Sequence, residues 1–289
     1  MLMACLNGDG CVAKMELKQY VVDAFTQQLF AGNPAAVVVL DAFLDADLMQ
    51  KIAAENNLSE TAFVVQQNGV YQIRWFSPLT EIDFCGHASL ASAYVLQRFY
   101  ASGEHIVFAC ALLGEFSIDI AEHGLISMAF PNRAPKEIDA IPEALLAGLS
   151  IAPQAVLQSP QAYFAIYANE QEVRDLRIDE APLKTLKPYD VVATAASTGE
   201  YDFVSRYFWP ANGGHEDPVT GSIHAGLFPY WGVRLHEQKM VAKQISARGG
   251  VVYGELVAKK VLVSGYAKLY AQSVLSVLDE PENGTVNKR

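Results

Sequence analysis

Apolar positions along this chain fall mainly at the alternating or continuous spacing of β-strands. In the first half the runs are LKQYVVDAF, AAVVVL, TAFVV, VYQIRWF, HIVFAC, EFSIDI and LISMAF. In the second they are AYFAIY, YDVVATA, DFVSRYFW, MVAKQISA, VVYGELV and KVLVSGYAKLYA. Helical spacing interrupts them. DADLMQKIAAENN (45–57) has an acidic start and sets Leu48, Ile52 and Ala53 on one face, which predicts a surface helix. FCGHASLASAYVL (84–96) and TGSIHAGLFPYW (220–231) predict helices of another kind, apolar nearly all round. A helix without a polar face must be covered on every side, and a strongly curved sheet wrapped around it does that. Pro229, inside the second of these, predicts a kink or an early end.

The two apolar helices belong to an internal echo. RWFSP (74–78) precedes CGHASLASAY, and RYFWP (206–210) precedes TGSIHAGLFPYW. Each copy is a strand with Arg-aromatic-Phe-x-Pro, a short loop, then a glycine opening the helix. From Pro78 to Gly86 is 8 residues and from Pro210 to Gly221 is 11. The pattern predicts an α+β chain of two similar domains, each a curved mixed sheet or barrel around a central apolar helix. FPNRAPKEIDAIP (130–142), with three prolines, is the linker candidate, so the expected domains are 16–131 and 132–279. Residues 1–15 are expected to be a flexible extension and the polar 280–289 a frayed tail.

Composition narrows the class. Of 289 residues 51% are hydrophobic and 18% charged, enough for a substantial core. The net charge of −11 argues against a nucleic-acid or anionic-membrane partner. Cys5, Cys11, Cys85 and Cys110 form no C-x-x-C pair, so neither a zinc site nor a disulfide framework is expected. Without a secretory start or a long apolar span, the expected location is cytoplasmic.

Chemistry has few places to sit. If the halves pack side by side, the N-termini of the two apolar helices can share a cleft, where unpaired N–H groups favour a carboxylate or phosphate. Gly86 and Gly221 allow close backbone approach there. Ser59, Glu60 and Thr61 end the 45–57 helix, and Asp83, Cys85 and His87 open the first apolar helix. GGHEDPVTGS gathers His215, Glu216, Asp217, Thr220 and Ser222 before the second. Taken singly, each of these also reads as a surface charge, turn or cap. A helix N-terminus lowers a thiol pKa, which makes Cys85 a nucleophile candidate. Its spacing of two from His87 in a tight turn predicts a poor nucleophile–base pair.

Four motifs settle what these residues resemble. VDAFTQQLFAGNPAAVVVL, NLSETAFV, RWFSPLTEIDFCGHASLASAYVL and EDPVTGSIHAGL resemble the phenazine-biosynthesis PhzF-like family, in the same order and at similar spacing, from about Tyr20 to Tyr270. The resemblance implies a diaminopimelate epimerase-like fold and an isomerase that shifts a proton within a small amino or hydroxy carboxylic acid. It implies Glu60 as the proton-transferring residue, with His87 and Gly86 touching the substrate beside it. Asp217 and Ser222, with Gly221 between them, match the residues that hold the substrate from the second domain. Asn33, in AGNPAA, lies in a motif near the cleft and is a further expected substrate contact. The epimerase relatives use a cysteine from the Cys85 region as a base, so an epimerase or racemase pairing Cys85 with Glu60 or Asp217 stays open. So does a non-catalytic small-molecule-binding homologue. The expected partner is a small carboxylate-bearing metabolite, the expected state a homodimer, and no metal or other cofactor is called for by any motif.

Overall fold

The computed structural model describes residues 14–278. The expected extension, bar its last two residues, and the expected tail lie outside the described residues, as do Cys5 and Cys11. Within them, eighteen strands join in one hydrogen-bonded sheet that curls around two central helices, Gly86–Tyr100 and Gly221–Leu235. The architecture is the expected α+β one.

The echo is structural. In the first half the strand Asn33–Leu40 pairs in parallel with Glu60–Gln67, which pairs antiparallel with Val70–Phe76. In the second, Ala162–Ile166 pairs in parallel with Asp190–Ala196, which pairs antiparallel with Phe203–Phe208. The Arg of each echo motif then clamps a two-residue strand. Arg74 donates from Nε and Nη2 to Glu81 at 2.6 and 2.7 Å. Arg206 does the same to Glu216 at 2.8 and 2.9 Å. Such bidentate forks fix the turn that delivers the chain to each central helix.

Both central helices are enclosed. Ala88, Leu90, Ala91, Ala93, Val95 and Leu96 of the first, and Ala225, Leu227 and Phe228 of the second, are fully buried in one continuous core. The predicted surface helix forms at Ala46–Asn56, capped by Asp45, whose carboxylate accepts from Asp47 N–H. It packs Met49, Ile52 and Ala53 on the outer face of the sheet, while Leu48 is only partly covered.

One expectation needs correction. The second central helix does not end at Pro229 but runs on to Leu235. Proline leaves the carbonyl four residues earlier without its helical donor. That carbonyl, on Ala225, instead accepts from Arg133 N–H at 3.0 Å, so the break goes unpunished. Strand pairing also crosses the expected boundary near residue 131. Ile126–Pro131 pairs with Lys260–Gly265 across it, and the last strand, Ala267–Leu278, lies along the first, Lys14–Ala24. No helix among the described residues is long and apolar enough to cross a membrane.

Candidate active site

The two central helices begin beside each other, and a cavity of about 220 Å³ lies at their N-termini. Their N-cap residues, Cys85 and Thr220, are extended and make no side-chain cap hydrogen bond. The first-turn N–H groups of both helices therefore lack the usual side-chain acceptor, which leaves two converging anion-binding ends. Gly86 and Gly221 serve differing needs. A Cβ on Gly221 would sit 2.9 Å from the Phe25 ring, so packing requires the glycine; on Gly86 the nearest atom would be 3.7 Å away.

Glu60 heads its strand and lines the cavity, with Oε2 2.8 Å from His87 Nε2. The oxygen lies off the ring N–H direction and has no other donor, so the contact is an ion pair with a lone pair left free. Burial alone would discourage a charge on His87, but the Cys85 sulfur and the Glu60 carboxylate against its ring outweigh it and raise its pKa well above that of free imidazole.

Cys85 behaves otherwise than expected. Its Sγ lies 3.4 Å from His87 Nδ1, so the two do touch. A residue at the N-cap leans its side chain over the first turn, and His87 is the second residue of that turn. Its pKa is pushed up to about 11, by burial first and by Glu60 second, which overrides any help from the helix end. At neutral pH Cys85 is thus a neutral thiol.

From the other half, Asp217 reaches the same cavity. It accepts from Asn33 Nδ2 at 2.8 Å and from the Thr220 hydroxyl. Burial raises its pKa to about 6, against the opposing pull of His87. Asn33 is fully buried and does not line the cavity. Its amide also donates to Val219 O at 2.9 Å, and its Oδ1 accepts from Ser59, so it ties the halves together behind the wall. Ser222 lines the cavity and accepts from Gln161 at 3.0 Å. His215 and Glu216 are drawn away, to Glu180 and Arg206. Asp83 is exposed and does not line the cavity.

Three residues escaped the sequence. Asp190, Tyr207 and Gln161 line the wall formed by the second half. The Tyr207 hydroxyl donates to Asp190 Oδ2 at 2.5 Å and accepts from Gln161 at 2.9 Å, while Asn212 donates to Asp190 Oδ1 at 2.7 Å. Burial raises the Asp190 pKa. The signal was in the echo: Glu60 heads its strand opposite Ala35, and Asp190 heads the matching strand opposite Ala162. Each half thus presents a carboxylate from the same place in its fold.

Glu60, Cys85 and His87 also bring one ligand atom each within 4.8 Å of one another. Three such donors are a set that zinc can use, although Glu60 and His87 are already paired with each other.

Over residues 22–272 the chain matches the family described as phenazine biosynthesis-like protein. An uncharacterized isomerase of Pseudomonas aeruginosa is 43% identical over 261 residues, spanning 90% of this chain and 99% of the relative. A PhzF-family phenazine biosynthesis protein from Enterococcus faecalis has a solved structure that superposes with a TM-score of 0.86 at 39% identity, covering 91% of this chain and 100% of that one. A hydroxyproline epimerase from Agrobacterium vitis, at 9% identity and a TM-score of 0.56 over 91% of this chain and 93% of its own, shares the fold alone. Kinship with proteins named as isomerases supports an isomerase kind of reaction. Matched by the family model over residues 22–272 and 43% identical to a relative that it covers almost completely, this chain belongs to the phenazine biosynthesis-like PhzF family.

Proposed function

We propose that the protein shifts a proton within a small carboxylic acid bearing an amino, hydroxyl or unsaturated group, with Glu60 as the general base and acid. The observation that carries this reading is Glu60 Oε2: it lines the cavity, is paired off-axis with His87 and has no other donor. The substrate carboxylate takes the uncapped N–H groups of Gly86, His87, Gly221 and Ser222, where two helix ends supply positive potential. The glycine at Gly86 leaves room for close approach. Glu60 removes a proton from the carbon beside the activating group, forming a carboxylic acid, and delivers it to another carbon of the same molecule. Negative charge that develops on the substrate is met by His87 and the helix ends. Asp217 and Ser222 orient the remaining polar groups. Asp190, hydrogen-bonded by Tyr207, faces the substrate from the second half.

Incubation in heavy water with a panel of amino, hydroxy and unsaturated carboxylic acids tests the reading. Deuterium is expected in at least one acid, with exchange slowed on the order of 10²–10⁴-fold by Glu60→Gln. Undiminished exchange in that variant overturns it. The contact of Cys85 with His87 favours a second reading, an epimerase using the thiol as one base. It requires Cys85→Ser to abolish exchange as fully as Glu60→Gln does.

A further inference from the structure

Away from the cleft, the second half encloses a lysine amine. The strands Gly250–Val257 and Lys260–Gly265 pair only as far as Tyr253 and Ser264. Into the gap beyond comes the segment Phe25–Thr26 of the first half. Val251 N–H donates to Phe25 O at 2.9 Å, and Thr26 N–H donates to Tyr266 O at 3.1 Å. The chain then turns, with Gln28 N–H donating to the Thr26 hydroxyl at 3.0 Å. Between that turn and the strands lies a cavity of about 260 Å³, which shares no lining residue with the one at the helix ends. Phe25, whose ring packs on Gly221, stands between the two.

Tyr201, Tyr253 and Tyr266 give this cavity aromatic walls, and the last two meet edge-on with ring centroids 5.7 Å apart. Lys243 also lines it, on the outer face of the strand Lys239–Gln244. Lys239, on the same face, pairs with Glu255 at 3.2 Å. Lys243 is half-buried, makes no ion pair or hydrogen bond with any described residue, and holds its Nζ 5.6 Å from the centre of the Tyr201 ring. Burial lowers its pKa below that of a free ammonium; Glu200 opposes the shift, and Arg174, from the helix Glu170–Asp175, adds to it. Desolvation and a neighbouring cation are the two devices that favour a neutral, nucleophilic lysine.

We propose that Lys243 is a covalent capture site for a single-ring aryl aldehyde, held as a Schiff base among the three tyrosine rings. The lysine nitrogen adds to the carbonyl carbon as the carbonyl π bond breaks, and one amine proton passes to the oxygen. The second amine proton joins the resulting hydroxyl, which leaves as water while the nitrogen lone pair completes the C=N bond. The cavity lies just below the roughly 300–1,000 Å³ usual for drug-sized ligands, which suits one ring rather than a larger body. Tyrosine faces and edges favour an aromatic ring over an aliphatic chain of equal size. Neither the amine nor the aldehyde takes part in the proton shift proposed for the cleft.

Incubation of the full-length protein with 4-hydroxybenzaldehyde and cyanoborohydride, which reduces a Schiff base to a stable amine, tests this when followed by peptide mapping. Lys243 is expected to be alkylated at least about tenfold faster than the exposed Lys259. With propanal, which offers the rings nothing to stack on, that preference should be several-fold smaller. Tyr253→Ala and Tyr201→Ala should each reduce the preference for the aryl aldehyde, and Lys243→Arg should leave only the slow labelling of exposed lysines. A Lys243 rate no greater than that of Lys259 would overturn the proposal. So would a preference equally large with propanal, or one that survives both tyrosine substitutions.

Discussion

The two halves share a frame but not a chemistry, and the four residues that follow the start of each central helix show where they part. Ser89 donates to Cys85 O at 2.6 Å, and His224, at the same offset, donates from Nδ1 to Thr220 O at 2.7 Å. The carboxylates Glu60 and Asp190 likewise occupy one topological place twice. Glu60 meets an imidazole off-axis and keeps a lone pair free, whereas Asp190 has both oxygens bound by Tyr207 and Asn212. A repeated scaffold thus delivers one acid with an unshared oxygen and another with both oxygens held by neutral donors. Position comes from the fold, and reactivity from the partners.

Exchanging carboxylates for amides should expose that asymmetry most strongly. Glu60→Gln is expected to lower turnover on the order of 10³-fold, as loss of a general base does. Asp190→Asn keeps the volume and one acceptor for Tyr207, and a fall on the order of tenfold is expected. Initial rates on a single exchanging acid check both, and equal losses would mean that the two acids share the work.

The buried histidines differ in the same way. His87 has side-chain partners in Cys85 and Glu60 that raise its pKa, while burial lowers that of His224 to about 4 and leaves its Nε2 without a partner. Between pH 6.5 and about 4 the unfolded chain binds a proton on His224 that the folded chain refuses, so this group costs stability as pH falls through that window. Asp217 acts oppositely. With its folded pKa at about 6 against 3.8 for a free carboxyl, the folded chain binds its proton first and gains stability as pH falls. His224→Asn keeps a donor for Thr220 O and cannot titrate. Denaturant unfolding should show its stability relative to wild type improving by on the order of 3 kcal/mol across the His224 window.

Much of this was legible in the residues. The enclosed helices, the 45–57 helix and the Arg-aromatic-Phe echo follow from periodicity, and the Glu60–His87 pair from motifs. Asp190 was not, because an acid before a strand looks solvated until the parallel register sets it opposite Ala162. Asn33 looked like a ligand contact, yet whether an amide faces a cavity or braces two halves depends on contacts 184 residues apart in sequence. The Cys85–His87 contact was hidden for a local reason: spacing rules for turns do not describe a cap leaning over its helix.

The glycines that open the helices offer a smaller test. Gly221→Ala presses a methyl group against the Phe25 ring and is expected to destabilise by between about 1 and 3 kcal/mol. Gly86→Ala meets only ordinary contacts, so thermal unfolding should leave it near wild type or slightly more stable. Its penalty should fall on substrate affinity instead, because its methyl group narrows the helix end that holds the carboxylate. A stability loss at Gly86 matching that at Gly221 would show that both glycines serve packing.

The two arginine forks should differ least. Arg74 and Glu81 are 31% and 43% exposed, in the range where a surface pair is worth under about 1 kcal/mol. Arg206 and Glu216 are 16% and 24% exposed. Arg206 also donates from Nη1 to the carbonyls of Leu176, at 2.6 Å, and Val173, at 3.2 Å. Truncation there strands two carbonyls as well as a half-buried carboxylate, which costs more than the lost pair itself. Arg206→Ala is therefore expected to destabilise by about 1 kcal/mol more than Arg74→Ala in denaturant unfolding. Because Glu216 precedes Asp217, Arg206→Ala should also disturb the second wall of the cleft and lower affinity for a carboxylate ligand. Glu81 is followed by Ile82, which lines the same cavity with a side chain that carries no charge. Arg74→Ala should therefore change stability and leave affinity nearly alone, and equal affinity losses would mean that both forks place their walls to the same tolerance.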